Sequence, residues 1–263
     1  MNNQPIGILD SGSGGLSIWR SLVKLLPGES TIYVGDHAYL PYGARQTVFI
    51  RQRVLKLIKF LKLSKVKLVI VACNAATVAG IEVYRKHFPG LPLIGVVPVV
   101  KTAARVSKTG RFAILSTSYT AGSAYQQRLI KKFAGNCRVY NLVSGNLVSY
   151  VERGQLADKQ IRRELCRLLP VPLMKKIDVL VLGCTHYPFL RRTFSNWLGK
   201  EIQILDSGGA VARQTKRILE ANQQVANQAN PSHRFFTTGG AKQIEKTFNL
   251  LLQKRVAVAK IKV

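Results

Sequence analysis

The feature that most limits what this chain can become is a repeat of short apolar runs, rich in Val and Ile, each followed by a longer amphipathic stretch. A strand that is apolar at every position has no solvated face, so it belongs in a sheet covered on both sides. Helices between such strands supply the cover and make the strands parallel. The runs fall at residues 6–10, 31–35, 68–72 and 93–97, then at 112–115, 138–140, 179–182, 202–205 and 234–236. The periodicity between them predicts helices over 16–26, 47–63, 76–87, 121–133, 159–168, 189–198, 210–221 and 241–251. The expected class is α/β, with mainly parallel sheets flanked by helices.

Two pairs of segments echo each other. Lys67-Leu-Val-Ile-Val-Ala-Cys-Asn74 is paralleled by Asp178-Val-Leu-Val-Leu-Gly-Cys-Thr185, and Ile6-Gly-Ile-Leu-Asp-Ser-Gly12 by Ile202-Gln-Ile-Leu-Asp-Ser-Gly208. Their order differs: the first Asp-Ser-Gly precedes its cysteine and the second follows, so the chain is no plain tandem duplication. Two similar lobes sharing a cleft, or chance likeness of strand ends, would both produce such echoes.

Ligands of open α/β sheets bind at the carboxyl ends of the strands. That rule selects Asp10 to Gly15 after the first strand, Pro41-Tyr42-Gly43 after the second and Cys73-Asn74-Ala75 after the third. In the second set it selects Thr117, Thr120 and Cys184-Thr185-His186. Asp10-Ser-Gly-Ser-Gly-Gly15 is neither a dinucleotide fingerprint nor a P-loop, because it lacks their spacing. Either it presents backbone N–H groups to an anion or it is only a tight strand-to-helix turn. Asp10 likewise reads as a functional carboxylate or as the N-cap of the next helix.

A lone cysteine is most often a small buried hydrophobe, and Cys137 and Cys166 are read so. Cys73 and Cys184 differ, since each ends a core strand and precedes hydrogen-bonding side chains. His186, two residues beyond Cys184, can exchange a proton with a thiol or a substrate. Cys-x-His without a further ligand pair is a weak metal signal, and no metal is expected.

Composition narrows the class further. None of the 263 residues lies in an apolar run near the ~20 needed for a membrane span, and the first residues lack the pattern of a signal peptide. With four cysteines in no CxxC pair, the chain is expected to be cytoplasmic and to keep free thiols. Forty Lys and Arg against twelve Asp and Glu give a net charge of +28, a field that attracts anions. The basic residues are spread along the whole chain without a nucleic-acid-binding signature, so a basic solvated surface is the expectation and nucleic acid is not the expected partner.

Taken together, Asp10-Ser-Gly-x-Gly-Gly15, Pro41-Tyr-Gly43, Val71-Ala-Cys-Asn74 and Leu182-Gly-Cys-Thr-His-Tyr-Pro188 resemble the motifs of the glutamate racemases, within the broader aspartate/glutamate racemase group. The likeness runs from about Pro5 through Asp206-Ser-Gly208 to Thr238-Gly239. It implies two similar α/β lobes with the active site in the cleft between them. Residues 1–97 plus 208–263 would form the lobe carrying Cys73, and residues 98–207 the lobe carrying Cys184. The implied activity is cofactor-independent interconversion of L- and D-glutamate, supplying D-glutamate for peptidoglycan. Cys73 would take the proton from D-glutamate and Cys184 from L-glutamate, with Asp10 and His186 assisting them respectively.

The resemblance also assigns Asp10, Ser11, Pro41, Tyr42, Gly43, Asn74, Ala75, Thr117, Thr120, Thr185 and His186 to holding the substrate. Glu152, in Tyr-Val-Glu-Arg, matches a glutamate of the family and follows these. A homodimer and regulation by a cell-wall precursor are features that some members show; a membrane partner is not implied. One departure stands out: the family reads Asn-Thr after the first cysteine, whereas this chain reads Asn74-Ala75. Loss of that hydroxyl predicts weaker substrate binding, unless Thr77 or a water replaces it.

Overall fold

A computed structural model describes residues 2–157 and 159–263. It contains two parallel sheets. The first has the strands β1 (Ile6–Asp10), β2 (Thr31–Gly35), β3 (Leu68–Val71) and β4 (Leu93–Gly95), joined late in the chain by β9 (His233–Thr237) and β10 (Val258–Lys260). The second has β5 (Arg111–Ser116), β6 (Arg138–Val143), β7 (Val179–Leu182) and β8 (Gln203–Leu205). Strand order is β10-β9-β2-β1-β3-β4 in one and β6-β5-β7-β8 in the other, and every pairing is parallel.

The strands that read as apolar on both faces are buried on both faces. All residues of β1, β2, β3 and β7 are buried. Alternate side chains enter separate cores, as a two-residue period requires. Ile6 and Ile8 pack with Leu16, Trp19 and Leu22 of the helix Leu16–Leu25. Leu9, with Val69 and Val71, packs with Ile50, Val54 and Leu57 of the helix Thr47–Leu63. The first of these cores does not stop at its own sheet. It continues to Leu115, Leu180 and Leu182 of the second sheet and on to Leu165 and Phe194. One apolar mass therefore fixes the two sheets against each other.

Several elements differ from the sequence reading. Strand β10 was not anticipated: it is a three-residue edge strand with two exposed positions, too short to show a pattern. Short helices at Val100–Val106, Asn146–Glu152 and Val171–Met174 also escaped, being below the length at which 3.6-residue periodicity is visible. The helix expected over 121–133 is two, Ser118–Ala121 and Ala124–Phe133; Ser123 caps the second by accepting from Gln126 N–H. Cys166 is exposed, not buried, because Ile161, Leu165 and Leu168 form the inward face of its helix; Cys137 is half-buried. No helix among the described residues is long and apolar enough to cross a membrane.

At the amino end of the first sheet, Lys67 Nζ lies 2.6 Å from Glu29 Oε2, and both side chains are essentially sealed from solvent. Lys67 also donates to the carbonyls of Asn2 and Gln224, each at 2.7 Å, and Glu29 Oε1 accepts from Ala226 N–H. Breaking this pair leaves a buried charge without a partner. Lys67→Met is expected to lower unfolding free energy by about 3–5 kcal/mol, and Glu29→Leu/Lys67→Met to recover much of it, both read by urea titration.

Candidate active site

Each sheet reverses its strand order once. In the first the reversal lies between β1 and β3, in the second between β5 and β7. Loops leaving adjacent strands in opposite directions open a crevice at that point, which is where open α/β sheets bind ligands. The loop after β3 contains Cys73 and the loop after β7 contains Cys184, so each crevice carries one thiol. The two crevices face each other across a single pocket. It is lined by Ser11, Pro41, Tyr42, Gly43, Cys73, Asn74 and Ala75 from the first sheet's loops. Thr117, Thr120, Val148, Cys184, Thr185 and His186 line it from the second. Its free volume is about 20 Å³, enough for a single water.

The Cys73 wall is built from a helix start. Cys73 caps the helix Asn74–His87, its sulfur accepting from Ala76 N–H at 3.5 Å, while its own S–H reaches Ser11 Oγ at 3.6 Å. The N–H groups of Asn74 and Ala75 fall in the first turn, where no intrahelical acceptor exists. Ala75 therefore retains a donor although it lacks the hydroxyl. Thr77 does not replace that hydroxyl: its Oγ1 donates to Val71 O and accepts from Val96 N–H, both within the fold. Burial, and then the charge of Asp10, push the Cys73 thiol up to about 12.

Asp10 is fully buried but caps no helix. The helix Leu16–Leu25 starts from Gly15 without a side-chain cap, and the Asp10 carboxylate accepts from Gly12 N–H at 2.7 Å and from Thr185 Oγ1 at 3.1 Å. It thus joins the two walls. Burial raises its pKa, against the charge of His186 and the Gly12 bond, which lower it.

The Cys184 wall is electrostatically different. His186 Nδ1 lies 3.7 Å from Cys184 Sγ, and Nε2 lies 2.7 Å from Glu152 Oε1. Burial acts to lower the His186 pKa, but Cys184 and Glu152 outweigh it and hold the pKa well above the ordinary histidine value. An imidazolium with both N–H groups aimed at acceptors satisfies this geometry. Burial alone would raise the Glu152 pKa, yet His186, with smaller help from His37 and Ser13, draws it down to about 2.

The glycine-rich turn proves to be both of the things its sequence allowed. It binds an anion, and the anion is the protein's own: Ser13 N–H donates to Glu152 Oε1 and Ser13 Oγ–H to Oε2, each at 2.7 Å. It is also a close-contact surface. A Cβ on Gly12 would lie 2.3 Å from Glu152 Oε1, and one on Gly14 2.3 Å from His186 Nδ1. Gly43 plays a similar part at the far side, where a Cβ would meet Thr117 Cβ at 3.1 Å.

Of the residues selected from sequence, all but Asp10, Gly12 to Gly15 and Glu152 line the pocket; Asp10 and Glu152 stand behind it and hold its walls. Tyr42 lines it, but not with a free hydroxyl, since its O–H donates to Asp36 Oδ2 at 2.6 Å. Asp36 is in turn held by a two-point contact from Arg53 and by Thr238 Oγ1. Asp36, Arg53, His37 and Val148 were not selected from sequence. Asp36 alone carried a signal, since it follows β2 as Asp10 ends β1 and acids are scarce in this chain.

Residues 6–215 match the family described as Asp/Glu/Hydantoin racemase. A glutamate racemase of Pseudomonas putida is 37% identical over 247 residues, covering 94% of this chain and 93% of the relative. The solved glutamate racemase isoform of Bacillus anthracis superposes with a TM-score of 0.92 at 31% identity, covering 100% of this chain and 99% of the other. That of Escherichia coli, in complex with L-glutamate and the activator UDP-MurNAc-Ala, gives 0.87 at 32% identity, with 99% of each chain covered.

Two outcomes follow from the geometry of this wall. Gly14→Ala is expected to displace the His186 ring, seen as a shift of its ¹⁵N imidazole signals with far-ultraviolet circular dichroism unchanged. Glu152, with its lowered pKa, contributes stability that is present above the unfolded value of 4.5 and lost as pH falls toward about 2. Glu152→Gln should accordingly be less stable than the parent at pH 7, with the gap in urea midpoint closing below about pH 4.5.

Proposed function

We propose that this chain, which belongs to the Asp/Glu/hydantoin racemase family, interconverts L- and D-glutamate with two thiols and no cofactor. It is an amino-acid racemase by family. Glutamate as the substrate is supported by full-length likeness to glutamate racemases, one of them solved with L-glutamate bound. The observation that carries the mechanism is that Cys73 and Cys184, one from the crevice of each sheet, line one pocket.

Inverting a stereocentre requires a base on one side of Cα and an acid on the other. In the L-to-D direction Cys184 Sγ takes the Cα proton, and the Cys73 thiol, kept protonated by burial and Asp10, delivers one to the opposite side. The D-to-L direction reverses both roles. His186 serves Cys184, and Asp10 sets the charge facing Cys73. The carbanion is stabilised by donors around the substrate carboxylate: the first-turn N–H groups of Asn74 and Ala75, those of Tyr42 and Gly43 at the start of their 3₁₀ turn, the Ser11 hydroxyl, and the one hydrogen left free by the Thr117–Thr120 hydroxyl pair. Thr185 spends its hydroxyl hydrogen on Asp10, so its oxygen is left to accept from the substrate ammonium.

The lobe carrying Cys73 comprises residues 1–97 and 208–263, and the lobe carrying Cys184 residues 98–207. The D-glutamate formed supplies peptidoglycan synthesis in a bacterial cytoplasm. An activator was bound in the Escherichia coli relative, so UDP-MurNAc-Ala belongs in the assay; oligomeric state, with a homodimer as the reading, is measured alongside.

The test is Cα deuterium exchange and circular dichroism on L- and D-glutamate in D₂O, with aspartate as the competing substrate. Cys73→Ala and Cys184→Ala are each expected to lose about 10²–10⁴-fold in racemisation rate. Racemisation surviving either substitution would refute the two-thiol mechanism, and a kcat/KM higher for aspartate would reassign the substrate. Because the enantiomers are equal in free energy, kcat/KM must be the same in both directions, whatever asymmetry the two walls impose on kcat and KM separately.

A further inference from the structure

His37 opens the turn after β2, and its ring is built into a tight seat. A Cβ on Gly35 would lie 2.3 Å from His37 Cε1, and one on Gly239 2.9 Å from His37 Cβ, so both glycines make room for it. Phe248, from the helix Ala241–Leu252, packs against the ring with centroids 5.7 Å apart. Nδ1 lies 2.9 Å from Thr237 Oγ1, and Nε2 lies 3.1 Å from Ser13 Oγ.

The Ser13 hydroxyl decides which ring nitrogen carries the hydrogen. It has one hydrogen to give, and Glu152 Oε2, 2.7 Å away, is a carboxylate oxygen that can only accept. With that hydrogen committed, Ser13 Oγ must accept from His37, so Nε2 bears a hydrogen, while Nδ1 faces Thr237 Oγ1 and, at 3.2 Å, the Gly35 carbonyl. Burial holds the His37 pKa below the ordinary histidine value, against Glu152, the Gly35 carbonyl and Asp36, which raise it. The chain Thr237–His37–Ser13 therefore ends on Glu152, which accepts from the Ser13 hydroxyl on one oxygen and from His186 on the other, and His186 in turn lies 3.7 Å from Cys184.

We infer that His37 is a positioning residue for the Cys184 wall: it fixes the Ser13 hydroxyl, which fixes Oε2 of Glu152 and leaves Oε1 for His186. His37 touches neither pocket nor substrate, so its effect falls on the chemical step. The activity readout rests on the racemase reading; the spectroscopic one does not.

The experiment compares His37→Leu, His37→Gln and Ser13→Ala, alone and combined, by glutamate racemisation and by ¹⁵N titration of the imidazoles, of which the chain has four. His37→Leu is expected to lower kcat about tenfold to hundredfold, the usual range for losing a group that orients a functional histidine, with KM nearly unchanged. The His186 titration midpoint should move down. His37→Gln, whose side-chain N–H can reach Ser13, should restore kcat to within about threefold. Ser13→Ala combined with His37→Leu should lose no more than either alone, because the two act as one unit. Unchanged kcat and an unchanged His186 midpoint in His37→Leu would overturn the inference, as would losses that multiply in the double variant. Should His37→Leu not fold, Ser13→Ala with an unmoved His186 midpoint gives the same refutation. A parent protein that racemises no acidic amino acid would end the functional reading, while the titrations would still decide the role of His37.

Discussion

The arrangement depends on one carboxylate. Glu152 ends a short helix that follows the second sheet's strand β6, yet its oxygens are held by the turn that leaves the first sheet's strand β1. It then presents one oxygen to His186, on the loop after β7. Three loops from two sheets converge on this side chain, and a buried carboxylate left short of such partners would be costly. Each neighbour is shaped to it: glycines at 12 and 14 clear the approach, Ser13 supplies two donors, and His186 supplies the charge.

Around this anchor the two thiols acquire opposite surroundings. Cys73 faces a buried carboxylate and the start of a helix; Cys184 faces a cationic imidazole. Environments that differ in this way let two identical side chains take different protonation roles in one site. The walls are not independent, since Asp10 accepts from Thr185 and so couples the Cys73 side to the loop that carries Cys184. A disturbance on either wall is therefore felt by the other.

Much of this was legible in the sequence because the pocket sits where parallel strands end. The runs at 6–10, 68–72 and 179–182 located three of the loops that meet at the pocket, and the paired Cys-polar dipeptides singled out the two cysteines, of four, that line it. What stayed hidden was the set of contacts made only after the sheets come together. Glu152 lies in a seven-residue helix too short for a periodic signal, and nothing near it announces an interaction with residue 13, 139 positions earlier. His37 was invisible for the same reason: its partners Thr237 and Ser13 come from opposite directions along the chain. The glycine cluster posed a choice between presenting N–H groups to an anion and only turning strand into helix; in the tertiary fold it makes that turn and also holds the Glu152 carboxylate.

The small volume between the walls has a kinetic meaning. A space sized for one water cannot receive a dicarboxylic amino acid, so the form described here is one that substrate does not enter directly. Entry requires the loops that line the pocket to move apart, and the affinity then includes the free energy of populating that opened form. A substitution remote from both thiols that loosens the shared apolar core would lower KM by making the open form more common, and would give back part of that gain in water leaking into the closed one. Affinity and dryness are in this sense traded through the same joint, and that joint is the packing that runs unbroken from β1 to β7.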